Sequence, residues 1–456
     1  MLMHQSPTYS IRRAINRFSN FARSDVSGGI MLLIATVVAL IWANAPFSAS
    51  YFNLQQTELG LIIGEREMGM SLHEWVNNGL MTLFFLHIGL QIKREVTVGL
   101  LSSWQQALLP VVAALGGMIA PALIYTALNA GQGATQGWGI PIATDIAFAL
   151  GVLALLHNRV PAGLKVFVAA FAVADDMGAV LVIALFYSGD VQLLALAGAV
   201  ALLGLLALLS YWSVSHTGVF ILLSIGVWVL LISAGVHGTV TGVLIALIIP
   251  ARIRLDPEEY IEREEALLDQ LARIEATRES LLTDDKQLRA VNRLYDLSEA
   301  LEPPLSYVDR YLSPLVNLGV LPVFALFNAG VALDGSALQH IGSPVSAGII
   351  LGLFFGKQIG IMLSTWLIVR FGPVKLPEAV GWWQIYGVSC LAGIGFTMAL
   401  FITDLTFESP QATGQARIAI LLVSLLAGTV GFFVTRWSSR PDKQPGQQGG
   451  TATAEG

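Results

Sequence analysis

Apolar runs long enough to cross a bilayer recur along almost the whole chain, and that recurrence restricts it to folding in lipid. A bilayer core calls for about 20 consecutive, mainly apolar residues per helix. About twelve segments approach this, at 28–47, 74–92, 106–128, 137–157, 164–187, 192–210, 215–233, 236–250, 310–332, 345–369, 383–403 and 414–436. Segments seven and eight are short and nearly fused. In hydrocarbon a backbone N–H or C=O finds no water, so each run has to satisfy its own polar groups as a helix. The expected fold class is therefore an all-α polytopic membrane protein with about 12 transmembrane helices. The charge content agrees, since only 12% of the 456 residues are Asp, Glu, Lys or Arg, about half the share in soluble domains.

Basic residues set the expected orientation. Arg12, Arg13, Arg17 and Arg23 precede segment one; Lys93 and Arg94 follow segment two; Arg159, Arg252, Arg254, Arg370, Lys375, Arg436 and Arg440 follow later even-numbered segments. All fall on one side, which predicts both termini in the cytoplasm and a retained first span. The chain is expected to divide into a cytoplasmic arm at 1–27, helices one to eight at 28–250, a charged cytoplasmic loop at 251–306, helices nine to twelve at 307–436 and a disordered tail at 437–456. In the loop, Asp256 is placed to cap a helix that has Pro257 at its first position. Within 53–72 the alternation around Gly64 predicts an external β-hairpin, whose free edge would pair with a second copy. The partners expected are the lipid bilayer and a second copy, giving a homodimer; no basic patch with interleaved aromatics points to nucleic acid. The single cysteine, Cys390, excludes an intrachain disulfide and a cysteine metal cluster.

Four charges interrupt the apolar runs. Asp175 and Asp176 are adjacent in segment five, Asp145 lies in segment four and Lys357 in segment ten. A charge at a helix centre costs about 2.5–3.5 kcal/mol even on lenient scales, and such residues mark ion pathways and proton relays. Adjacent helical residues point about 100° apart, so one aspartate can face a cavity while the other meets a neighbouring helix. Desolvation disfavours a carboxylate's charged form; the bare oxygens are also hard ligands for small cations. One carboxylate then carries either a proton or a sodium ion, the simplest coupling chemistry for an exchanger. Asp175 and Asp176 are the expected ligands of a transported sodium ion, with no resident metal or cofactor. Lys357 lies about 18 Å of helix rise from Val369, too far to snorkel, and is expected to pair with an aspartate. That pair is either static or a titrating one, in which the lysine releases a proton when sodium displaces its partner.

Two segments are interrupted. In GIPIATDIAF, Pro141 removes a helix hydrogen bond and Gly139 weakens the helix beside Thr144 and Asp145; in SCLAGIGFTMALFI, Gly393 and Gly395 do so for segment eleven. Paired interruptions in the two halves of a transporter point to its binding site. His87 and His237 are further candidates for a pH response. His73 and His340 fall in outer connections and carry no signal.

The motifs FFLHIGLQIKRE, PIATDIAFALGVLALL, ADDMGAVLVIALFY, GVHGTVTGVL, LPVFALFNAGV, FFGKQIGI and GIGFTMALFI, in this order over about residues 20–436, resemble those of the NhaA-type sodium/proton antiporters of bacterial inner membranes. The resemblance implies two inverted three-helix repeats, segments three to five and ten to twelve, with helices four and eleven unwound and crossed. It implies that Asp176 binds the cation, that Asp175 is tied to transport and to Lys357, and that Thr144 and Asp145 belong to the interrupted helix, Asp145 offsetting helix-end dipoles. It further implies electrogenic exchange of internal Na+ or Li+ for external H+, activation at alkaline pH, and a dimer held partly by the external hairpin.

The chain departs from the family at its pH-sensing periphery. Gln91 stands where the family's GLEVKRE-like motif has an acid, shortly before Glu95, and Asp309 replaces a glutamate in VDRYLSPLV, where Arg310 and Ser313 replace histidines. Gln91, Glu95, His237 and Asp309 are thus the candidate pH-response residues, and an altered pH profile is expected. Two other functions compete: a sodium-coupled organic-anion transporter of the same fold, and an intramembrane aspartyl protease using Asp145 and Asp176 as its dyad.

Overall fold

The computed structural model describes residues 25–439 apart from 64–65, 157–158, 190, 213–216, 253–256, 274–288, 290, 296, 299–301 and 334–341. The arm before residue 25, the tail from residue 440, Gly64, Asp256 and His340 lie outside the described residues.

Among the described residues, eight helices are each long and apolar enough to cross a membrane. A ninth span forms if Trp382–Leu391 and Phe396–Thr406, bent by 45° at their break, count as one. The other three segments are helical as well. Segment two runs through Leu72–Glu74, a π-helical stretch Trp75–Leu80 and Met81–Thr97, where Lys93, Arg94 and Glu95 lower its apolarity. Segments seven and eight form the shorter helices Thr217–Ser233 and Gly238–Ile248. The turn between them needs Gly235, whose φ of +81° disfavours any residue with a Cβ.

The described strands form one hairpin. Glu58–Ile63 pairs antiparallel with Arg66–Ser71, in a register running from Glu58↔Ser71 to Ile63↔Arg66. Segment two starts where the hairpin ends. The Ser71 hydroxyl accepts from the Glu74 amide at 3.2 Å, and Glu74 accepts from the Ser71 amide at 2.8 Å, a capping box that satisfies two orphan donors. The Trp75 indole donates to the Leu59 carbonyl at 3.0 Å, tying hairpin to helix.

Small residues let the central helices close on one another. Segments three (Trp104–Asn129) and ten (Pro344–Phe371) meet where Gly360 lies against the Gly116 carbonyl and Gly356 against Pro121. A Cβ on Gly360 would collide with that carbonyl and sit 2.9 Å from the Ala120 Cβ. Because backbone cannot rotate away as a side chain can, Gly360→Ala is expected to destabilise by about 1–3 kcal/mol. Thermal unfolding in detergent checks this, and an unchanged midpoint would mean the two helices separate at no cost.

Most buried residues form one core, running from segment one to segment twelve. A satellite core joins segments six and seven through Ala199, Leu206, Val227 and Leu231. Leu193–Tyr211 is only 11% buried, and Leu194 and Leu222 point outward. An outward apolar surface of this extent fits hydrocarbon rather than water.

Candidate functional site

Segment four is not a continuous helix. A 3₁₀ stretch, Thr135–Ile142, gives way to extended backbone at Ala143 and Asp145, and an α-helix starts at Ile146. Pro141 lies just before the break. Gly139 has a second role, because its amide donates to the Tyr187 hydroxyl at 3.0 Å and a Cβ there would strike that side chain. Segment eleven breaks between Leu391 and Phe396. Gly393 and Gly395 do not adopt positive φ; their missing Cβ atoms admit the Leu353 carbonyl and side chain. These glycines therefore act through close packing as well as through weak helix propensity.

The two breaks satisfy each other. The Thr144 hydroxyl donates to the Ala392 carbonyl at 2.9 Å, and the Asp145 amide donates to the Ile394 carbonyl at 2.6 Å. In return the Asp145 carboxylate accepts from the Phe148 amide at 3.0 Å, and from the Thr397 amide and hydroxyl at 3.1 and 2.6 Å. One buried carboxylate thus caps two helices, Ile146–Leu155 and Phe396–Thr406. Each helix start presents partial positive charge, so a single anion offsets both. Thr397 was missed at the sequence level; its signal was a hydroxyl two residues after Gly395 in an otherwise apolar run. Losing that hydroxyl while the amide remains, Thr397→Val is expected to cost about 1.5–3 kcal/mol, the range for hydrogen bonds to charged groups. Chemical or thermal unfolding measures it, and parental stability would mean the hydroxyl contributes nothing to the cap.

Asp175 and Asp176 lie within Ala162–Phe186, both buried. The Lys357 ammonium donates to both oxygens of Asp175 at 3.1 Å, and neither side chain has any exposed area. Lys357 directly follows a π-helical stretch, Gly352–Gly356, a widened turn of a kind frequent at functional sites. Asp176 differs from its neighbour. It is 5% exposed and makes no hydrogen bond or ion pair with another described residue. Asp175, Asp145 and Lys357 all act on it through space. The structure therefore gathers Thr144, Asp145, Asp175, Asp176 and Lys357 in one buried region where the two broken helices meet segments five and ten.

Chemically, Asp176 is a buried carboxylate without a hydrogen-bond or ion-pair partner among the described residues, close to two further carboxylates and one ammonium. It has the donors and acceptors to exchange a proton for a small hard cation. An aspartyl dyad is disfavoured, because both oxygens of Asp145 are occupied by helix-capping hydrogen bonds and cannot share a proton with Asp176.

The candidate pH-response residues separate. Gln91 Nε2 lies 3.0 Å from His87 Nε2, His87 Nδ1 lies 2.8 Å from Asp309 Oδ1, and Arg94 lies 3.4 Å from Asp309 Oδ2. These four side chains form one cluster at the end of segment two remote from the hairpin. Glu95 is outside it; its carboxylate accepts the Leu100 amide at 3.1 Å in the following turn. His237 is at the other end of the bundle, preceding Gly238–Ile248 with its ring edge-on to Phe401.

A second set of charges, unmarked in the sequence, surrounds Asp404 at the hairpin end. Arg417 donates to Asp404 Oδ1 at 2.6 Å, Asn77 donates to Oδ2 at 3.0 Å, and His73 Nε2 lies 3.5 Å from Oδ2. Asp404 and Arg417 stand at the edges of apolar runs, and that was the available signal.

Comparison with known proteins gives a consistent picture. A family model described as Na+/H+ antiporter 1 matches residues 19–435. The protein named Na(+)/H(+) antiporter NhaA of Wolinella succinogenes is 44% identical over 414 residues, covering 91% of each chain. The protein of that name from Oleidesulfovibrio alaskensis is 42% identical over 426 residues, 93% of this chain and 95% of its own. The one from Helicobacter pylori strain J99 is 42% identical over 414 residues, 90% of this chain and 93% of its own.

Proposed function

Since the chain belongs to the Na+/H+ antiporter 1 family, we propose that it exports sodium or lithium across a bacterial inner membrane in exchange for external protons. It is a transporter, not an enzyme. The observation that carries the site assignment is the contrast between two adjacent carboxylates, Asp175 held by Lys357 and Asp176 held by no described partner.

Asp176 is the cation and proton carrier. Its carboxylate binds sodium when bare and releases it when protonated, so the two ions compete for one group. Thr144 and Asp145 shape the site, and Asp145 spares the cation the repulsion of two exposed helix starts. Asp175 acts through Lys357: an arriving cation draws Asp175 toward itself, and the released ammonium gives up a proton. Two protons then move against one sodium ion, so exchange carries net charge. The half-helices Ile146–Leu155 and Phe396–Thr406 have ends that are not continuous with their spans, which lets them tilt and open the site to one face at a time.

Both termini are proposed to lie in the cytoplasm and the hairpin outside, a reading the distribution of basic residues between the loops supports. The second copy is proposed to join through the hairpin; deleting residues 58–71 should leave a monomer by light scattering, and a surviving dimer would rule the hairpin out. The His87–Gln91–Arg94–Asp309 cluster then faces the cytoplasm and is proposed to shape the pH response. Gln91→Glu adds a carboxylate beside His87, and is expected to displace the curve of activity against pH. An unchanged curve would remove the cluster from that role.

The direct test uses inside-out vesicles with an acid lumen and a pH-sensitive dye. Adding sodium or lithium should alkalinise the lumen at once. No response at any pH, with the protein present in the membrane, would overturn the antiporter reading. Uptake of an organic anion driven by sodium would replace it with the organic-anion carrier.

A further inference from the structure

The short helix Phe396–Thr406 is held at both ends. Its start is capped by Asp145 through Thr397. Two turns on, about 10 Å along the axis at 1.5 Å per residue, Asp404 meets groups from two other segments, one of them linked on to a third. Arg417 comes from segment twelve, Asn77 and His73 from segment two, and Asn328, which donates to Asn77 Oδ1 at 2.9 Å, from segment nine. Asp404 is 9% and Arg417 13% exposed, so neither ion is merely a solvated surface charge. They line a cavity of about 750 Å³ that opens beside the hairpin, with Gln55, His73, Phe407 and Gln415 also on its wall. Among the described residues, the charged and titratable groups of this region are Tyr51, His73, Asp404, Glu408 and Arg417.

We propose that Asp404 is a positioning residue for ion exchange. Its pairing with Arg417, supported by Asn77 and His73, clamps the half-helix so that the floor of this vestibule stays shut. Releasing the pair frees the half-helix to tilt and lets the vestibule reach the ion site. The argument is mechanical. A helix of eleven residues moves as one body, so a restraint at Asp404 is felt at Thr397, whose two donors hold Asp145. The clamp joins segments two, eleven and twelve at one carboxylate, with segment nine linked through Asn77. The inference rests on the antiporter reading and adds the residues that bias its two access states.

The test measures sodium half-saturation from each face, in right-side-out and inside-out vesicles, for the parent, Asp404→Asn, Arg417→Gln and the exchanged double variant Asp404→Arg/Arg417→Asp. Opening the clamp favours the state open to the hairpin face. Each single variant should then lower half-saturation at that face and raise it at the other, by roughly fivefold or more, and the exchanged pair should move both values back toward the parent. Opposite shifts are the signature, because a structural defect lowers the number of active transporters and moves neither half-saturation. A lower maximal rate alone, or shifts of one sign at both faces, overturns the inference. If the single variants do not reach the membrane, His73→Gln, which leaves the Asp404–Arg417 pair intact, should give smaller shifts of the same opposite signs; their absence counts against the clamp. A parent without sodium-coupled proton flux refutes the antiporter reading instead, and so the two failures are distinguishable.

Discussion

Asp176→Asn is expected to abolish sodium-dependent proton exchange, lowering it by about two orders of magnitude or more, a typical worth for a positioned proton-transfer group. The amide keeps the shape of the carboxylate. It neither takes up and releases the proton nor neutralises a bound cation. Asp176 makes no hydrogen bond or ion pair with a described residue, so its replacement breaks no structural contact. Helix content and unfolding midpoint should therefore stay close to the parent's. Purified protein in proteoliposomes, assayed for proton flux on adding sodium and for thermal unfolding, separates the two effects. Full exchange in the variant would place the cation elsewhere; loss of activity together with loss of fold would make Asp176 a structural residue.

The second large effect falls on stability. Removing Lys357 leaves Asp175 buried with no countercharge, and breaking a buried pair from one side costs about 3–5 kcal/mol. Lys357→Met is therefore expected to lower stability by that order. Replacing both members, as in Asp175→Asn/Lys357→Gln, leaves two neutral groups able to hydrogen-bond, and most of the lost stability should return. Unfolding of Asp175→Asn, Lys357→Gln and the double variant completes a double-mutant cycle, in which a coupling near zero would show the pair is not held as described. The double variant also decides between a static and a titrating lysine. If Lys357 carries one of the two exchanged protons, the double variant should move one charge fewer per sodium ion, read as loss of voltage generation in the same proteoliposomes. Unchanged charge movement makes the pair a scaffold.

Some of this was open to inspection in the chain alone, and some was not. Periodicity did not enter; length and apolarity located the helical segments, because hydrocarbon admits few alternatives. Segment two was legible although three charged residues near its end weaken its apolarity. The break in segment four was marked by Pro141. The break in segment eleven was marked by Gly393 and Gly395, but for a partial reason: they admit the Leu353 backbone and side chain as much as they weaken a helix. The sequence joined Gln91, Glu95, His237 and Asp309 as one class of residue. Folding keeps Gln91 and Asp309 together around His87, turns Glu95 to a local amide and places His237 at the far end of the bundle.

The residues around Asp404 show why. His73 lies in a connection that carried no signal, Arg417 lies more than 300 positions away, and only the packing of segments two, nine, eleven and twelve brings them to one carboxylate. The sequence by itself determined that the chain lives in lipid as a helical bundle, and that four charges in its apolar runs have work to do, because an unpartnered charge in hydrocarbon is costly in any fold. Tertiary structure decided the partners: Lys357 with Asp175 and not Asp176, Asp145 with two helix starts, Asp404 with Arg417. Hydrogen bonds and ion pairs act over about 3 Å, and which groups come that close is set by how helices remote in sequence cross.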